Sequence, residues 1–400
     1  MEKLTIKAHQ IKLYPTKSQE ILFRKSCGVA RFSYNWALAK WNELYKAGEK
    51  TSAYPLVKLQ NSVKKEEWPW MKEVGKCAPQ HAIHNLERAF KNFFKKNAKY
   101  PKFKKKGRKD SFVSVENKVG FKQKDFKIWA PKIGWVKCAE NLRFDGKINN
   151  VVIKRIADMW FAFVNIEIEN SNPIEIPVVS ENQAAVGIDM GIKSMLVLSD
   201  GTVYENPKAL KSNLKGLKRL QRGLSRKVKG SSNRRKQQMR VAKKHYRVSN
   251  IRKNAIHQAT TEIVNKYDRI VIENLNVKGM IKNHNLAQAL SDVSFGEIAR
   301  QLAYKAQWQG KELVKADRFF ASSKTCSGCG HKKESLKLSE RIFNCEKCDL
   351  KIDRDLNAAI NLANFGSTLK HKGREACGEG SSAIEISHSP SVKQEIIINS

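Results

Sequence analysis

Two pairs of cysteines, Cys326-Ser-Gly-Cys329 and Cys345-Glu-Lys-Cys348, stand just ahead of the run Asp353-Arg-Asp-Leu-Asn-Ala-Ala-Ile-Asn361. The spacing is Cys-x2-Cys-x15-Cys-x2-Cys. Each pair can make a tight knuckle whose backbone amides donate to the sulfurs. Four thiolates close a tetrahedral shell and leave no open position, so the pattern predicts one structural Zn2+ rather than a catalytic one. Such an ion stabilises a small fold that has almost no core of its own. The competing reading is a disulfide or a redox pair. Cys27, Cys77, Cys138 and Cys377 are scattered, which fits a reducing compartment and a metal site better than a disulfide framework.

Three carboxylates form a second set. Asp189 falls at the end of a strand, in Gly187-Ile-Asp-Met-Gly-Ile-Lys193, just before a glycine turn. Glu273 ends the apolar strand Arg269-Ile-Val-Ile. Asp355 stands at the start of the last helix. Singly, each has an ordinary reading as a turn, a strand end or a helix cap. In the order strand-Asp, strand-Glu, helix-start-Asp they are what an RNase H-like fold needs to gather three carboxylates. Such a cluster repels itself unless cations fill it. Two Mg2+ ions would activate a water and stabilise the leaving 3′ oxygen of a phosphodiester. Asp353 competes with Asp355 for the third place, because either precedes Leu356, Ile360 and Ala363 by about a turn; periodicity does not separate them.

The composition says what such a site would act on. Lysine and arginine number 76 against 38 aspartates and glutamates, a formal net charge of +38. Solubility does not require so much charge, and a surface this basic repels itself unless a polyanion covers it. Nucleic acid is the expected partner, bound less tightly as salt rises. The chain opens Met-Glu-Lys-Leu-Thr-Ile-Lys, without an apolar signal region, and no run approaches the length of a membrane span. The expectation is a cytoplasmic, nucleoid-associated protein of prokaryotic type, with no membrane partner.

The elements that must position these residues can be read along the chain. Residues 3–14 alternate as a strand and 17–97 read as helical. Val29, Phe32, Trp36 and Ala39 share one helix face, and Ile83, Leu86, Phe90 and Phe93 share another after Pro79; both stripes are expected in the core. The lysine-rich run 95–109 is a solvated loop or, against this charge, a phosphate contact. Residues 111–169 carry short β-rich pieces such as Ser111–Val115, Val151–Ile156 and Trp160–Ile168, which suggests a small barrel or sandwich. Residues 170–182 read as a linker. Strand, turn and strand follow from Ala184, then two long helical segments broken at Gly230-Ser-Ser, with Leu210, Leu214, Leu217 and Leu224 as an apolar seam. Eighteen lysines and arginines lie between Lys208 and Lys253, and no acid between Asn206 and Thr261. A hairpin this basic is expected to grip a nucleic-acid backbone. A helix at Phe295–Gln309, a strand at Glu312–Ala316 and a helix at Leu356–Phe365 complete the domain; from Gly366 the weak patterning predicts a disordered tail.

Taken together, these residues resemble the TnpB family, transposon-encoded RNA-guided nucleases related to type V CRISPR effectors. Gly28-Val-Ala-Arg-Phe-Ser-Tyr-Asn-Trp-Ala-Leu resembles the family's N-terminal helical signature and Tyr100-Pro-Lys-Phe-Lys-Lys-Lys its basic hinge. Gly187-Ile-Asp-Met-Gly-Ile-Lys resembles the first RuvC motif and Ile272-Glu-Asn-Leu the second. The cysteine pairs with Asp353-Arg-Asp-Leu-Asn-Ala-Ala-Ile-Asn resemble the zinc ribbon and third motif. The resemblance implies a multidomain α+β protein. A β-barrel wedge domain (1–15 and 98–182) is interrupted by a helical recognition domain (16–97). An RNase H-like (RuvC) α/β domain (183–325 and 351–366) follows, with an inserted four-cysteine zinc ribbon (326–350) and a tail (367–400). It implies that Asp189, Glu273 and Asp355 are catalytic and hold Mg2+, with Asp355 favoured over Asp353, and that Cys326, Cys329, Cys345 and Cys348 hold Zn2+. It implies a guide RNA from the transposon end, a double-stranded DNA target cut beside a short adjacent motif, and a monomer on its RNA. One departure is Asp349, where relatives carry glycine after the second cysteine pair. The alternatives are an RNA-guided regulator that does not cut, a small type V CRISPR effector, and a DNA transposase of related fold, whose glutamate would come last.

Overall fold

The computed structural model describes residues 5–107, 109–116, 122–168, 185–337 and 339–372. The expected linker at 170–182 and the end of the chain from 373 lie outside the described residues. In chain order the first part comprises β1 (Thr5–Tyr14), α1 (Lys17–Lys46), α2 (Ala53–Val63), a 3-10 turn (Pro69–Glu73) and α3 (Cys77–Phe94). Six strands follow: β2 (Ser111–Glu116), β3 (Lys122–Lys124), β4 (Lys127–Ala130), β5 (Gly134–Cys138), β6 (Lys147–Ile156) and β7 (Met159–Ile168).

These strands and β1 form a seven-stranded antiparallel sheet in the order β2-β6-β7-β1-β5-β4-β3. Strand β1 pairs with β7 from Thr5↔Ile168 to Leu13↔Trp160 and also gives Leu13 and Tyr14 to β5. Among the described residues, the end strands β2 and β3 are not paired with each other. A capping box starts α1: the Gln19 amide donates to Thr16 Oγ1 at 3.3 Å, and the Thr16 amide donates to Gln19 Oε1 at 3.1 Å. Phe23, Ala37 and Leu38 of α1, Ile83 and Leu86 of α3, and Ile11, Val164 and Ile166 of the sheet share one continuous core.

The predicted α3 stripe holds at Ile83, Leu86 and Phe90, while Phe93 is half-buried. The α1 stripe needs correction. Only Val29 of its four residues is buried; Phe32, Trp36 and Ala39 are half-buried. Val29, with Phe32 against it, belongs to a small satellite core with Met71, Val74 and Trp68. The deep face of α1 is Phe23, Cys27, Ala30, Tyr34, Ala37 and Leu38. Trp36 packs half-buried against the main core and Phe32 against the satellite, because rings pack well at a half-open edge.

The second part comprises β8 (Ala185–Asp189), β9 (Ser194–Leu198), β10 (Val203–Glu205), α4 (Ala209–Ser225), α5 (Ser232–Lys266), β11 (Arg269–Ile272), α6 (Val277–Met280), α7 (His284–Val293), α8 (Phe295–Trp308), β12 (Glu312–Lys315), β13 (Ile342–Asn344), β14 (Lys351–Asp353) and α9 (Arg354–Lys372). Its five-stranded sheet runs β10-β9-β8-β11-β12. The first three strands pair antiparallel, and β11 lies parallel to both β8 and β12. All four residues of β11 are buried, as the continuous apolar run requires of a central parallel strand. The basic helices α4 and α5 form the expected hairpin, turned at Gly230 (φ +86°), with Ser231 Oγ accepting from the Arg234 amide at 3.1 Å as N-cap.

The last helix differs from expectation at its end. Helix α9 begins at Arg354 and continues to Lys372, through Gly366 and six residues beyond it. Gly366 does not stop the helix; a Cβ there would stand 2.6 Å from Val271 Cγ2, so the glycine lets the helix lie on β11. Among the described residues, no helix is long and apolar enough to cross a membrane.

Candidate active site and metal cluster

Strand register brings the first two carboxylates together. Ile272 of β11 is paired in parallel with Ile188 of β8. The next residue on each strand, Glu273 and Asp189, therefore leaves the sheet at the same edge, side by side. Helix α9 supplies the third by packing on β8 at closest range over Gly187. A Cβ on Gly187 would stand 2.0 Å from the Ala359 carbonyl oxygen and 2.4 Å from the Ala363 nitrogen. Only glycine allows that approach, and with it the first turn of α9 reaches the strand ends.

The charges reflect the proximity. The Asp189 carboxyl is pushed well above the usual range, first by burial, then by Glu273 and Asp355, while Arg354 opposes the rise. As a whole residue Asp189 keeps some exposed surface; the carboxyl itself lies deep, which is why burial is the largest cause. Glu273 is also pushed up, first by burial and further by Asp355, against a hydrogen bond from Ser322 that pulls it down. Ser322 Oγ donates to Glu273 Oε1 at 2.7 Å. An Arg354 guanidinium nitrogen lies 3.5 Å from Asp355 Oδ1.

Asp353 and Asp355 separate here. The carboxylate of Asp353 accepts from the Asp355 amide at 2.9 Å and the Leu356 amide at 3.1 Å, through a single oxygen. That is the work of a helix N-cap. Asp353 thus closes the last ladder and starts the helix, whereas Asp355 faces Asp189, on which it acts more strongly than Asp353 does.

The four cysteines converge as their spacing predicted. One sulfur from each lies within 4.8 Å of the others. Cys326 and Cys348 sulfurs are 3.6 Å apart and those of Cys329 and Cys345 are 3.5 Å apart. A tetrahedral Zn2+ with bonds of about 2.3 Å needs sulfurs about 3.8 Å apart, so the set fits this ion. Both knuckles have the same frame: the Cys326 amide donates to the His331 carbonyl at 2.8 Å and the Cys345 amide to the Leu350 carbonyl at 2.9 Å. The Lys347 amide donates to Cys345 Sγ at 3.4 Å and is the largest cause of that thiol falling to about 6. Gly330 follows the first knuckle with φ +75°, and Asp349 occupies the matching place in the second with φ +53°.

Sequence reasoning gave no role to the residues that join these two sets. Asn357 and Asn361, one turn apart on α9, are both buried. Asn357 Nδ2 donates to the Thr325 carbonyl at 2.7 Å and its Oδ1 accepts from the Ser327 amide at 2.9 Å. Asn361 Nδ2 donates to the carbonyls of Thr325 at 2.6 Å and Ser322 at 2.8 Å. The available signal was their spacing, i and i+4 among Ala and Ile, which puts two amides on the helix's buried face.

The basic run near residue 100 is anchored rather than loose. Asn35 of α1 clamps Lys104, its Oδ1 accepting from the Lys104 amide at 2.8 Å and its Nδ2 donating to the Lys104 carbonyl at 3.0 Å. Tyr100 donates to Asn42 Oδ1 at 2.6 Å. Lys104 keeps exposed surface along its length, yet its ammonium sits 3.8 Å from the Tyr34 ring centre, and burial lowers it to about 8. Lys102, Phe103, Lys105 and Lys106 remain exposed on this fixed strap.

Three family profiles match the chain. One described as "Probable transposase" covers residues 163–284, one described as "Cas12f1-like, TNB domain" covers 295–362, and one described as "Helix-turn-helix domain" covers 1–50. The last range here holds β1 and the single helix α1. An Escherichia coli relative named "Putative RNA-guided DNA endonuclease InsQ" is 33% identical over 394 residues, covering 94% of both chains. A Streptomyces pristinaespiralis relative named "Putative RNA-guided DNA endonuclease" is 34% identical, covering 94% of this chain and 91% of its own. Among solved structures, the protein of a complex described as "Cryo-EM structure of the Cas12f1-sgRNA-target DNA complex" matches with a TM-score of 0.55 at 15% identity, over 90% of this chain and 99% of that one. At that identity the likeness is one of fold: a multidomain arrangement of sheets and helices. With relatives a third identical along nearly its whole length, the chain belongs to the TnpB family.

Proposed function

We propose that this protein is a transposon-associated, RNA-guided DNA endonuclease that hydrolyses phosphodiester bonds with Asp189, Glu273 and Asp355. The observation that carries the reading is the cluster itself: Asp189 and Glu273 end paired parallel strands, α9 packs over Gly187 beside them, and the deep Asp189 carboxyl is pushed up by burial and then by Glu273 and Asp355. The strand order of the second sheet, with three antiparallel strands and two parallel ones, supports an RNase H-like (RuvC) reading of residues 183–325 and 351–366. The names of the relatives point the same way.

The donor set is all oxygen and rich in charge, which suits a hard divalent cation such as Mg2+. A pair of such ions, when bound, supplies an activated water and neutralises charge on the leaving oxygen. The chain's own residues do the rest. Asp189, Glu273 and Asp355 hold the ions and fix their place. Arg354 offsets part of the negative charge beside Asp355. The cysteine cluster, with Zn2+, holds the ribbon at 326–350 and takes no part in the chemistry.

We read the first sheet with its helices as the wedge (1–15 and 98–182) and recognition (16–97) parts, which together with the basic α4–α5 hairpin bind a guide RNA and its DNA target. The fold match to the protein of a Cas12f1–sgRNA–target DNA complex supports RNA and DNA as partners, and a net charge of +38 supplies the backbone contacts. Pairing with the guide reads the target, and the protein reads a short adjacent motif.

The test is to purify the full chain with the RNA it retains from cells carrying its native locus, sequence that RNA, and assay nicking of a matched DNA with Mg2+ and with EDTA. Cutting is expected only with Mg2+ and only with the RNA. Asp189→Ala and Glu273→Ala should stop cutting and keep RNA binding; cutting retained in either variant removes that residue from the reading. Target binding without any nicking would make the protein an RNA-guided regulator instead.

A further inference from the structure

The loop from β12 to the first cysteine knuckle returns one hydroxyl to the carboxylate cluster. Ser322 is 3% exposed, and its Oγ donates to Glu273 Oε1 at 2.7 Å. Its backbone is fixed at both ends: its amide donates to the Phe320 carbonyl at 2.9 Å and its carbonyl accepts from Asn361 Nδ2 at 2.8 Å. Asn361 also binds the Thr325 carbonyl, which it shares with Asn357, and Asn357 holds the Ser327 amide. Thr325 and Ser327 flank Cys326. The first cysteine knuckle, Ser322 and the helix that carries Asp355 are therefore one hydrogen-bonded unit, and the serine hydroxyl links that unit to Glu273.

The asparagines bond only backbone atoms of this loop and knuckle, so none of their bonds uses the serine side chain. The hydroxyl has a single proton and directs it to Oε1. That leaves Oε2 as the carboxylate oxygen without this donor, on a side chain that can no longer rotate freely about its last bond. Partners that orient a metal-binding carboxylate in this way set metal affinity without touching the ion.

We infer that Ser322 is a positioning residue for the divalent-cation site, holding Glu273 by Oε1 while Asn361, which with Asn357 also holds the zinc knuckle, holds the Ser322 backbone. The inference rests on the reading of the three carboxylates as a cation site. It gives the ribbon a function beyond its own folding: its seating sets how tightly the neighbouring site takes a divalent ion.

The experiment is a Mn2+ titration of the full chain, followed by electron paramagnetic resonance of free Mn2+, for wild type, Ser322→Ala, Ser322→Cys, Ser322→Thr and Asp189→Ala as background. Ser322→Ala is expected to weaken site binding by about 10–100-fold. Ser322→Thr, which keeps the hydroxyl, should stay within a few-fold of wild type. In the RNA-loaded protein, Ser322→Ala should need correspondingly more Mg2+ for half-maximal cutting and recover most of the wild-type rate at saturation. A hydroxyl that only fills space would instead give a lower melting temperature with unchanged Mn2+ affinity, and that result overturns the inference while leaving the cation site standing. If Ser322→Ala does not fold, the near-isosteric Ser322→Cys decides, and wild-type affinity there counts against the inference. A wild type that binds no more Mn2+ than Asp189→Ala defeats the cation-site reading itself and takes this inference with it.

Discussion

Asp292 and Asp189 both belong to the part of the chain that begins at β8, both with carboxyls withdrawn from solvent, and they are surrounded in opposite ways. Asp292, in α7, accepts from the Leu210 amide at 2.8 and 3.0 Å and from the Lys211 amide at 3.1 Å, and Arg252 of α5 reaches it at 3.2 Å. It caps α4 from another helix, because α4's own N-cap residue, Lys208, is left-handed (φ +45°) and makes no side-chain cap. Asp189 instead is pushed up, first by burial and then by Glu273 and Asp355. Both carboxylate oxygens of Asp292 meet donors, so it stabilises the fold. The Asp189 cluster costs stability in the bare protein, and on the proposed reading a cation offsets that cost.

The largest expected effect breaks the structural side of that comparison. Asp292→Ala leaves two amides at the start of a strongly basic helix and the Arg252 guanidinium without their acceptor. Removing one partner of such a buried set costs about 3–5 kcal/mol, so the melting temperature should drop sharply, equally with Mg2+ and with EDTA. A drop that Mg2+ reverses would mean that Asp292 belongs with the cation site after all.

The functional side should respond with the opposite sign. In EDTA, Asp189→Asn removes one member of a repelling set and should melt higher than wild type. Mg2+ should raise wild type, by about 2.7 kcal/mol at a hundredfold excess over its dissociation constant, and should not raise the variant in this way. The pH dependence follows. Asp189 and Glu273 both titrate above their ordinary 3.8 and 4.5, so between those values and the raised ones the folded state holds more protons than the unfolded state. Stability without metal therefore falls as pH rises through that window and is recovered on acidifying. Thermal melts in EDTA from pH 4 upward check this; a flat profile in wild type would show that neither burial nor the neighbouring carboxylates raise Asp189 and Glu273.

The strand-borne part of the candidate site was legible as position, because a strand writes itself into sequence as a short apolar run, and Asp189 and Glu273 each end one. The register that sets them side by side is a pairing between residues far apart in the chain, which no local pattern carries. The choice between Asp353 and Asp355 was open for a physical reason: they are two residues apart at a helix start, where capping and site residues use the same side chain. Only the amides accepted by Asp353 separate them. Gly366 misled in the same manner, since clearance over Val271 and a helix stop both call for glycine. The hairpin strands β3, β4 and β5 escaped notice because they are short and Lys122, Lys124, Lys127 and Lys137 stand within them. The contacts of Ser322, Asn357 and Asn361 were invisible in the sequence, because a polar side chain in a loop or helix acquires meaning only from what it touches.

Asp349 sharpens the comparison with the smallest expected effect, since it is an aspartate that neither caps a helix nor joins the cluster. It is exposed, and its distinguishing feature is its backbone, at φ +53°, where the matching position of the first knuckle holds Gly330 at φ +75°. The two knuckles share their amide-to-carbonyl frame, so the left-handed residue is required by the turn and the carboxylate is incidental to it. Asp tolerates this region better than most side chains but still less well than glycine. Asp349→Gly should therefore relax the second knuckle, and the greater freedom of glycine in the unfolded chain takes back part of the gain. A net stabilisation of about 0.5 kcal/mol is expected, read as slower Zn2+ release to a chromogenic chelator with no change in Mn2+ affinity at the carboxylates. Faster release would mean that the Asp349 side chain supports the ribbon directly, and the division of the aspartates into cap, cluster and turn would then need a fourth kind.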